Sequence, residues 1–189
     1  MFHDKKIILA SLSPRRKQLL EQAEMEFVIK VKPVEEVFPQ GMSIEKIPQY
    51  IARNKALAVK EECSEEEIIV AADTLVVLRK EIIGKPRDKA DAIRILSALS
   101  GRMHRVITGV CMMTGGKETT FADITEVYFR ELTREQIIYY IDNYKPYDKA
   151  GAYAIQEWIG LVGIEKINGC YFNVMGLPVG RVLEAIRKL

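Results

Sequence analysis

Apolar positions along this chain switch between two periods, and the switches mark its elements. Ile7–Ala10 is a short apolar run, followed at once by a polar turn and a helical pattern. Ser13 is a good N-cap there, and Pro14 suits the first helical position, whose N–H would lack an intrahelical partner. Phe27, Ile29 and Val31 alternate and predict a second strand over Phe27–Lys32; Glu35–Ser43, with Pro39 and Gly41, reads as a loop. Tyr50, Ile51, Leu57 and Ala58 at helical spacing predict a helix from about Ile47 to Cys63. Ile68–Leu78 is almost continuously apolar and reads as a buried central strand, which Arg79–Lys80 turns into a short return strand, Glu81–Ile83.

Further on, Asp88 caps a helix running to Leu99, and Gly101 closes it. Val106–Met113 and Thr119–Arg130 read as extended segments joined at Gly115–Gly116, a hairpin signal. Thr133 with Gln136 forms a capping box for a helix over Arg134–Asn143. Glycines punctuate what read as short strands between Ala152 and Val174, and Pro178 opens a final helix within Leu177–Leu189. Strands and helices interleave while hairpins forbid a purely parallel sheet. The expectation is an α/β domain with a mixed, strongly twisted sheet and helices against it. No repeat, low-complexity tract or linker divides the 189 residues, so one domain over 1–189 is expected, long enough for a real core.

Composition changes this picture only by exclusion. Apolar residues make up 48% and charged ones 29%, ordinary for a globular protein. A net charge of +2 offers no basic field for nucleic acid, so any positive site must be local. Cys63, Cys111 and Cys170 have neither disulfide-framework nor zinc-site spacing, which suits a reducing compartment. Met1–Lys6 is polar and the apolar stretch after it too short for a signal peptide or membrane span. A cytoplasmic protein without membrane or nucleic-acid partners is expected.

Three places carry chemistry. Arg15 and Arg16 stand in the first turn of a helix, where exposed amides already favour an anion. Two guanidinium groups there oppose the local dipole, and phosphate is the natural counter-charge because the arginine fork matches its oxygens in pairs; two solvated arginines are the alternative. Asp73 sits inside IIVAADTLVVL, where an unpaired carboxylate would be costly. It must pair with a cation, ligate a metal or face a cleft. Lys55 interrupts the inner face of its helix, Lys85 lies in Gly84-Lys85-Pro86 after a strand, and Glu35-Glu36 follow the second strand in a loop. Together they offer carboxylates for a divalent cation and cations for a polyphosphate. In Tyr147–Gln156, Gln156 ends an apolar run, and its carboxamide can read the adjacent carbonyl and N–H of a uracil or thymine ring, or else satisfy nearby backbone. Neither His3 nor His104 has a partner at nucleophile or metal spacing, and His104 reads as a structural hydrogen-bonder. No P-loop, nucleophile elbow or dinucleotide fingerprint is present.

LASLSPRRKQLL, AADTLVV, GKPRDKADA, LSGRMHRVITGV, VYFREL, PYDKAGAYAIQ and GCYFNVMGLP, in this order from about Ile7 to Pro178, resemble the Maf nucleotide pyrophosphatases. That resemblance implies a fold like the inosine triphosphate pyrophosphatases, with a central cleft. It also implies hydrolysis of a nucleoside triphosphate to monophosphate and pyrophosphate, assisted by magnesium or manganese. By position, Asp73 falls on the family's catalytic acid, as base or metal ligand, and Glu36 on a second acidic position. Ser11, Arg15, Arg16, Lys55 and Lys85 fall on phosphate-binding positions. Arg15, Thr74 and Gln156 match the trio of the dTTP/UTP subfamily, rather than the relatives acting on 7-methyl-GTP. Lys145-Pro146 departs from the Glu-Pro of many members. The same chemistry on another modified nucleotide, or a non-enzymatic regulator of septum formation binding a protein partner, are the competing readings. The oligomeric state stays open, a homodimer included.

Overall fold

A computed structural model of the chain describes residues 6–189, so His3 lies outside the described residues. In chain order the elements are β1 (Ile7–Leu9), α1 (Pro14–Gln22), β2 (Phe27–Ile29), α2 (Ile47–Lys60), β3 (Ile68–Leu78), β4 (Glu81–Ile83), α3 (Lys89–Leu99), β5 (Met103–Thr114), β6 (Lys117–Phe129), α4 (Arg134–Tyr144), α5 (Trp158–Gly163), β7 (Ile164–Asn168), α6 (Tyr171–Met175) and α7 (Val179–Ile186). Seven strands form one sheet in the order β2-β1-β3-β5-β6-β7, with β4 on β3. β1 runs parallel to both neighbours, Ile7 pairing with Phe27 and with Ile68, whereas β4 and β7 are antiparallel additions. The sheet is therefore mixed, as the pattern of crossovers and hairpins predicts.

The chain divides into two compact units. The first holds residues through Asp73, Thr108–Asp123 and Gly176–Leu189; the second holds Thr74–Ile107 and Ile124–Met175. In the first, one face of the sheet carries Ile8 and Ala10 of β1, Ile69 and Ala71 of β3, and Cys111 and Met113 of β5. These pack on Ala52, Ala56 and Val59 of α2. Small residues on α2 let the helix lie close to the strands. Leu57, expected inside, is exposed, and α2 ends three residues early, at Lys60. The inward stripe runs through Ile51, Ala52, Ala56 and Val59 instead.

In the second unit, α3 and α4 pack together, and His104, Phe129 and Tyr153 meet edge to face with ring centroids 5.0–5.4 Å apart. Asp88 accepts a bond from the Asp91 N–H at the start of α3, and Thr133 and Gln136 form the capping box of α4. The hairpin between β5 and β6 turns on Gly115 and Gly116, both at positive φ (49° and 77°), the demand of a tight two-residue turn.

One expectation fails here. Ala152–Val174 is not a series of short strands: only β7 is extended, and α5 and α6 are helical. The glycine signal has a tertiary cause. A Cβ on Gly160 would lie 1.7 Å from the Ile155 carbonyl oxygen, so this glycine permits close backbone approach rather than ending a strand. A smaller correction concerns α1: Ser13 is its N-cap by backbone conformation, but its side chain makes no capping bond.

Candidate functional site

In the first unit the chain leaves β1, passes through α1 to β2 on one side, then through α2 to β3 on the other. That reversal puts a crevice beyond the carboxyl end of β1, where β3 runs on past the Leu9–Val70 pair, the usual kind of ligand position in parallel α/β sheets. Ala10, Ser11 and Leu12 after β1, Val31, Lys32, Pro33 and Val34 after β2, and Lys55 of α2 line a cavity of about 210 Å³ there.

The turn entering α1 is built around Ser11. Its Oγ accepts from the Ser13 N–H (3.2 Å) and from Arg16 Nη1 (3.0 Å). Arg16 Nε donates to the Gly176 carbonyl (2.8 Å), so this guanidinium is buried and fixed at both edges. Burial pushes the Arg16 pKa down, while the nearby charges of Asp73 and Glu36 act the other way and Arg15 adds to the fall. Arg15 is half-buried, and the first turn of α1 contains no acidic residue. The start of α1 thus carries two guanidinium groups and no acidic side chain within its first turn.

Asp73 follows from strand periodicity. Ile69 and Ala71 face α2, and Asp73 continues that line, three residues beyond the Leu9–Val70 pair. On α2, Lys55 shares a face with Ala52, Ala56 and Val59, so carboxylate and ammonium meet where the apolar contact ends. Lys55 Nζ donates to Asp73 Oδ1 (2.7 Å) and to Glu36 Oε1 (2.6 Å). The Asp73 arm is largely buried and the Glu36 arm exposed, at 10% and 52% of their carboxylate side chains. Glu35 takes no part in this bridge.

Among the described residues, no group of three or more His, Cys, Asp or Glu side chains is placed to hold a metal ion. Two carboxylates do converge, and both reach a single cation, Lys55. Such a pair of carboxylate oxygens is of the hard-donor type that suits a divalent cation.

Ser11, Arg15, Arg16, Glu36, Lys55 and Asp73 therefore belong to the first unit, and the structure brings Ser11 to Arg16 and Glu36 to Asp73 through Lys55. Thr74, Lys85 and Gln156 belong to the second. Thr74 is half-buried in β3, Lys85 exposed in the irregular segment after β4, and Gln156 exposed at a turn before α5. Two participants escaped the sequence reading. The Gly176 carbonyl lies in the quoted GCYFNVMGLP segment but, as backbone, left no side-chain signal. Lys32 lines the cavity while its ammonium pairs with Glu62 (2.8 Å). His104 is buried with Nε2 2.7 Å from the Tyr153 hydroxyl, a core position as expected.

The family model described as Maf-like protein matches residues 6–189. The chain is 51% identical over 187 residues to a dTTP/UTP pyrophosphatase of Cytophaga hutchinsonii, covering 99% of this chain and 85% of the relative. It is 50% identical to a dTTP/UTP pyrophosphatase of Phocaeicola vulgatus, covering 97% and 96%. Among solved structures, the Staphylococcus aureus Ham1 protein aligns with a TM-score of 0.48 at 15% identity, covering 66% of this chain and 72% of that one.

Proposed function

This chain belongs to the Maf-like protein family, and on that premise we propose that it hydrolyses dTTP and UTP to the monophosphate and pyrophosphate with a divalent cation. The observation that carries the proposal is the buried Asp73 carboxylate, bridged by Lys55 to Glu36 where β3 runs on past the end of β1. A carboxylate kept in an apolar strand by one lysine is costly for stability alone, and the lysine that holds it lines the cavity.

In this mechanism Asp73 takes a proton from the water that attacks the α-phosphorus. Lys55 holds one carboxylate oxygen, which orients the other toward that water. The bond from the α-phosphorus to the bridging oxygen breaks, and pyrophosphate leaves with the bonding electrons. Arg15, Arg16, Lys55 and Lys85 offset the charge that collects on the leaving group, and Ser11 keeps Arg16 aimed. Magnesium or manganese, held by Asp73 and Glu36, would supply further charge neutralisation on the phosphate oxygens. Thr74 and Gln156 read the pyrimidine, the Gln156 carboxamide matching the carbonyl and N–H that uracil and thymine share. The proposal is of a single-domain cytoplasmic enzyme acting on free nucleotides rather than nucleic acid, and a homodimer is compatible with it.

Product analysis with dTTP, UTP, CTP and 7-methyl-GTP, with and without a chelator, tests this reading. Monophosphate and pyrophosphate from dTTP and UTP, lost on chelation, are expected; diphosphate and phosphate would exclude attack at the α-phosphorus. Asp73→Asn should lower turnover at least about a hundredfold while leaving the circular dichroism spectrum unchanged. Near-normal activity in that variant would remove Asp73 from the chemistry.

A further inference from the structure

Gln156 is exposed, yet the turn that presents it is anchored from within. The Glu157 N–H donates to the Ala154 carbonyl (3.1 Å), closing a β-turn with Ile155 and Gln156 at its centre. Both ends of this turn meet one atom, the phenolic oxygen of Tyr140 on α4. It accepts the Ala154 N–H (3.1 Å) and donates its proton to Glu157 Oε2. Tyr140 is fully buried, and its ring stacks on Tyr144 with centroids 5.0 Å apart. The other Glu157 oxygen faces Lys149 Nζ at 3.6 Å, and that ammonium also binds Asp148 (2.7 Å).

From this arrangement we infer that Tyr140 is a positioning residue for nucleobase selection, stapling both ends of the Gln156 turn, with Glu157 as its acceptor. The inference rests on the proposed role of Gln156 in reading the pyrimidine. A phenol buried for packing alone needs only one acceptor. This one uses its donor and its acceptor capacity on the two residues flanking Ile155 and Gln156. The far side of the turn is held as well: Gly160 donates to the Glu157 carbonyl (2.9 Å) and leaves room for the Ile155 carbonyl. A carboxamide discriminates between bases only if its oxygen and nitrogen arrive in register, so a loosened turn degrades selection before it degrades chemistry. Lys149 contributes from the other carboxylate oxygen, 3.6 Å away, by holding the Glu157 side chain where the phenol meets it.

Steady-state kinetics with UTP and CTP test the inference. Tyr140→Phe removes one oxygen and retains the ring. The ratio of kcat/KM for UTP over CTP should fall about tenfold, through the KM for UTP, with kcat within about twofold of the parent. Gln156→Ala should lose at least as much of the ratio, and adding Tyr140→Phe to it should lose no more. Glu157→Gln keeps an acceptor oxygen and should retain most of the ratio, whereas Glu157→Ala should lose it; this pair decides the matter if Tyr140→Phe folds poorly. An unchanged ratio in Tyr140→Phe beside a collapsed one in Gln156→Ala overturns the staple and spares the reading of Gln156. A uniform fall in kcat for every nucleotide makes Tyr140 merely structural and overturns it too. If Gln156→Ala keeps the full preference, the base-reading role itself fails and the staple loses its object.

Discussion

Lys55 is the residue on which the candidate site turns, because its ammonium serves two carboxylates of unequal burial. Removing a partner from a buried ion pair strands the other charge, whereas an exposed pair contributes little. Lys55→Met should therefore destabilise the fold by about 3 kcal/mol, while Glu36→Gln should cost less than about 1 kcal/mol. Urea midpoints of the two variants measure that asymmetry. Adding Asp73→Leu to Lys55→Met replaces both charges by apolar groups and should restore most of the lost stability without any turnover. Equal losses in Lys55→Met and Glu36→Gln would mean that Asp73 does not depend on this lysine. Asp73 itself was legible in the sequence, since a carboxylate in IIVAADTLVVL must be satisfied. Its partner was not. Lys55 precedes it by a helix, a turn and half a strand, and only the register of α2 on β3 shows that they meet.

Elements governed by local chemistry were legible in outline and often in their ends. The capping box at α4 needs only Thr133 and Gln136, and both of its bonds form: the Thr133 N–H donates to Gln136 Oε1 (2.9 Å), and Thr133 Oγ1 accepts from the Gln136 N–H (3.3 Å). Thr133→Ala removes one of these partners and exposes an orphan amide, so a loss of about 1 kcal/mol is expected in denaturant unfolding. Thr133→Ser should recover most of it, because the serine hydroxyl occupies the same place. The hairpin at Gly115–Gly116 was readable for the same reason: positive φ is a demand of the turn itself. Between Ala152 and Val174 the logic inverts. Gly160 answers to the Ile155 carbonyl and Glu157 to the Tyr140 hydroxyl, contacts that no local window contains. Glycine there carries tertiary information that a local window cannot tell from a strand end.

At the scale of the whole molecule, acid sensitivity separates one core group from the surface. Burial pushes the His104 pKa from an ordinary 6.5 down to about 4, only partly opposed by the Arg102 backbone. The unfolded chain takes up this proton as pH falls through 6.5, but the folded chain refuses it until about 4. Across that window the unfolded state binds more protons, so stability falls with falling pH and this contribution levels off below it. The full effect is about 3 kcal/mol, of which about 2 kcal/mol should be lost between pH 7 and pH 5. Carboxylates held below their ordinary range, such as Asp91 beside the Arg87 N–H and Arg94, or Glu126 beside Asn168 and Tyr128, also favour folding at neutral pH. Their contribution is present above the unfolded values of 3.8 and 4.5 and is lost as pH falls below these. The slope between pH 6.5 and 5 is thus dominated by His104. His104→Gln should lower stability at pH 7, because Tyr153 loses its imidazole partner, but the difference between pH 7 and pH 5 should largely vanish. Urea midpoints at the two pH values, parent against variant, give the comparison. A variant with the parent's full slope would place the responsible proton on a group other than His104.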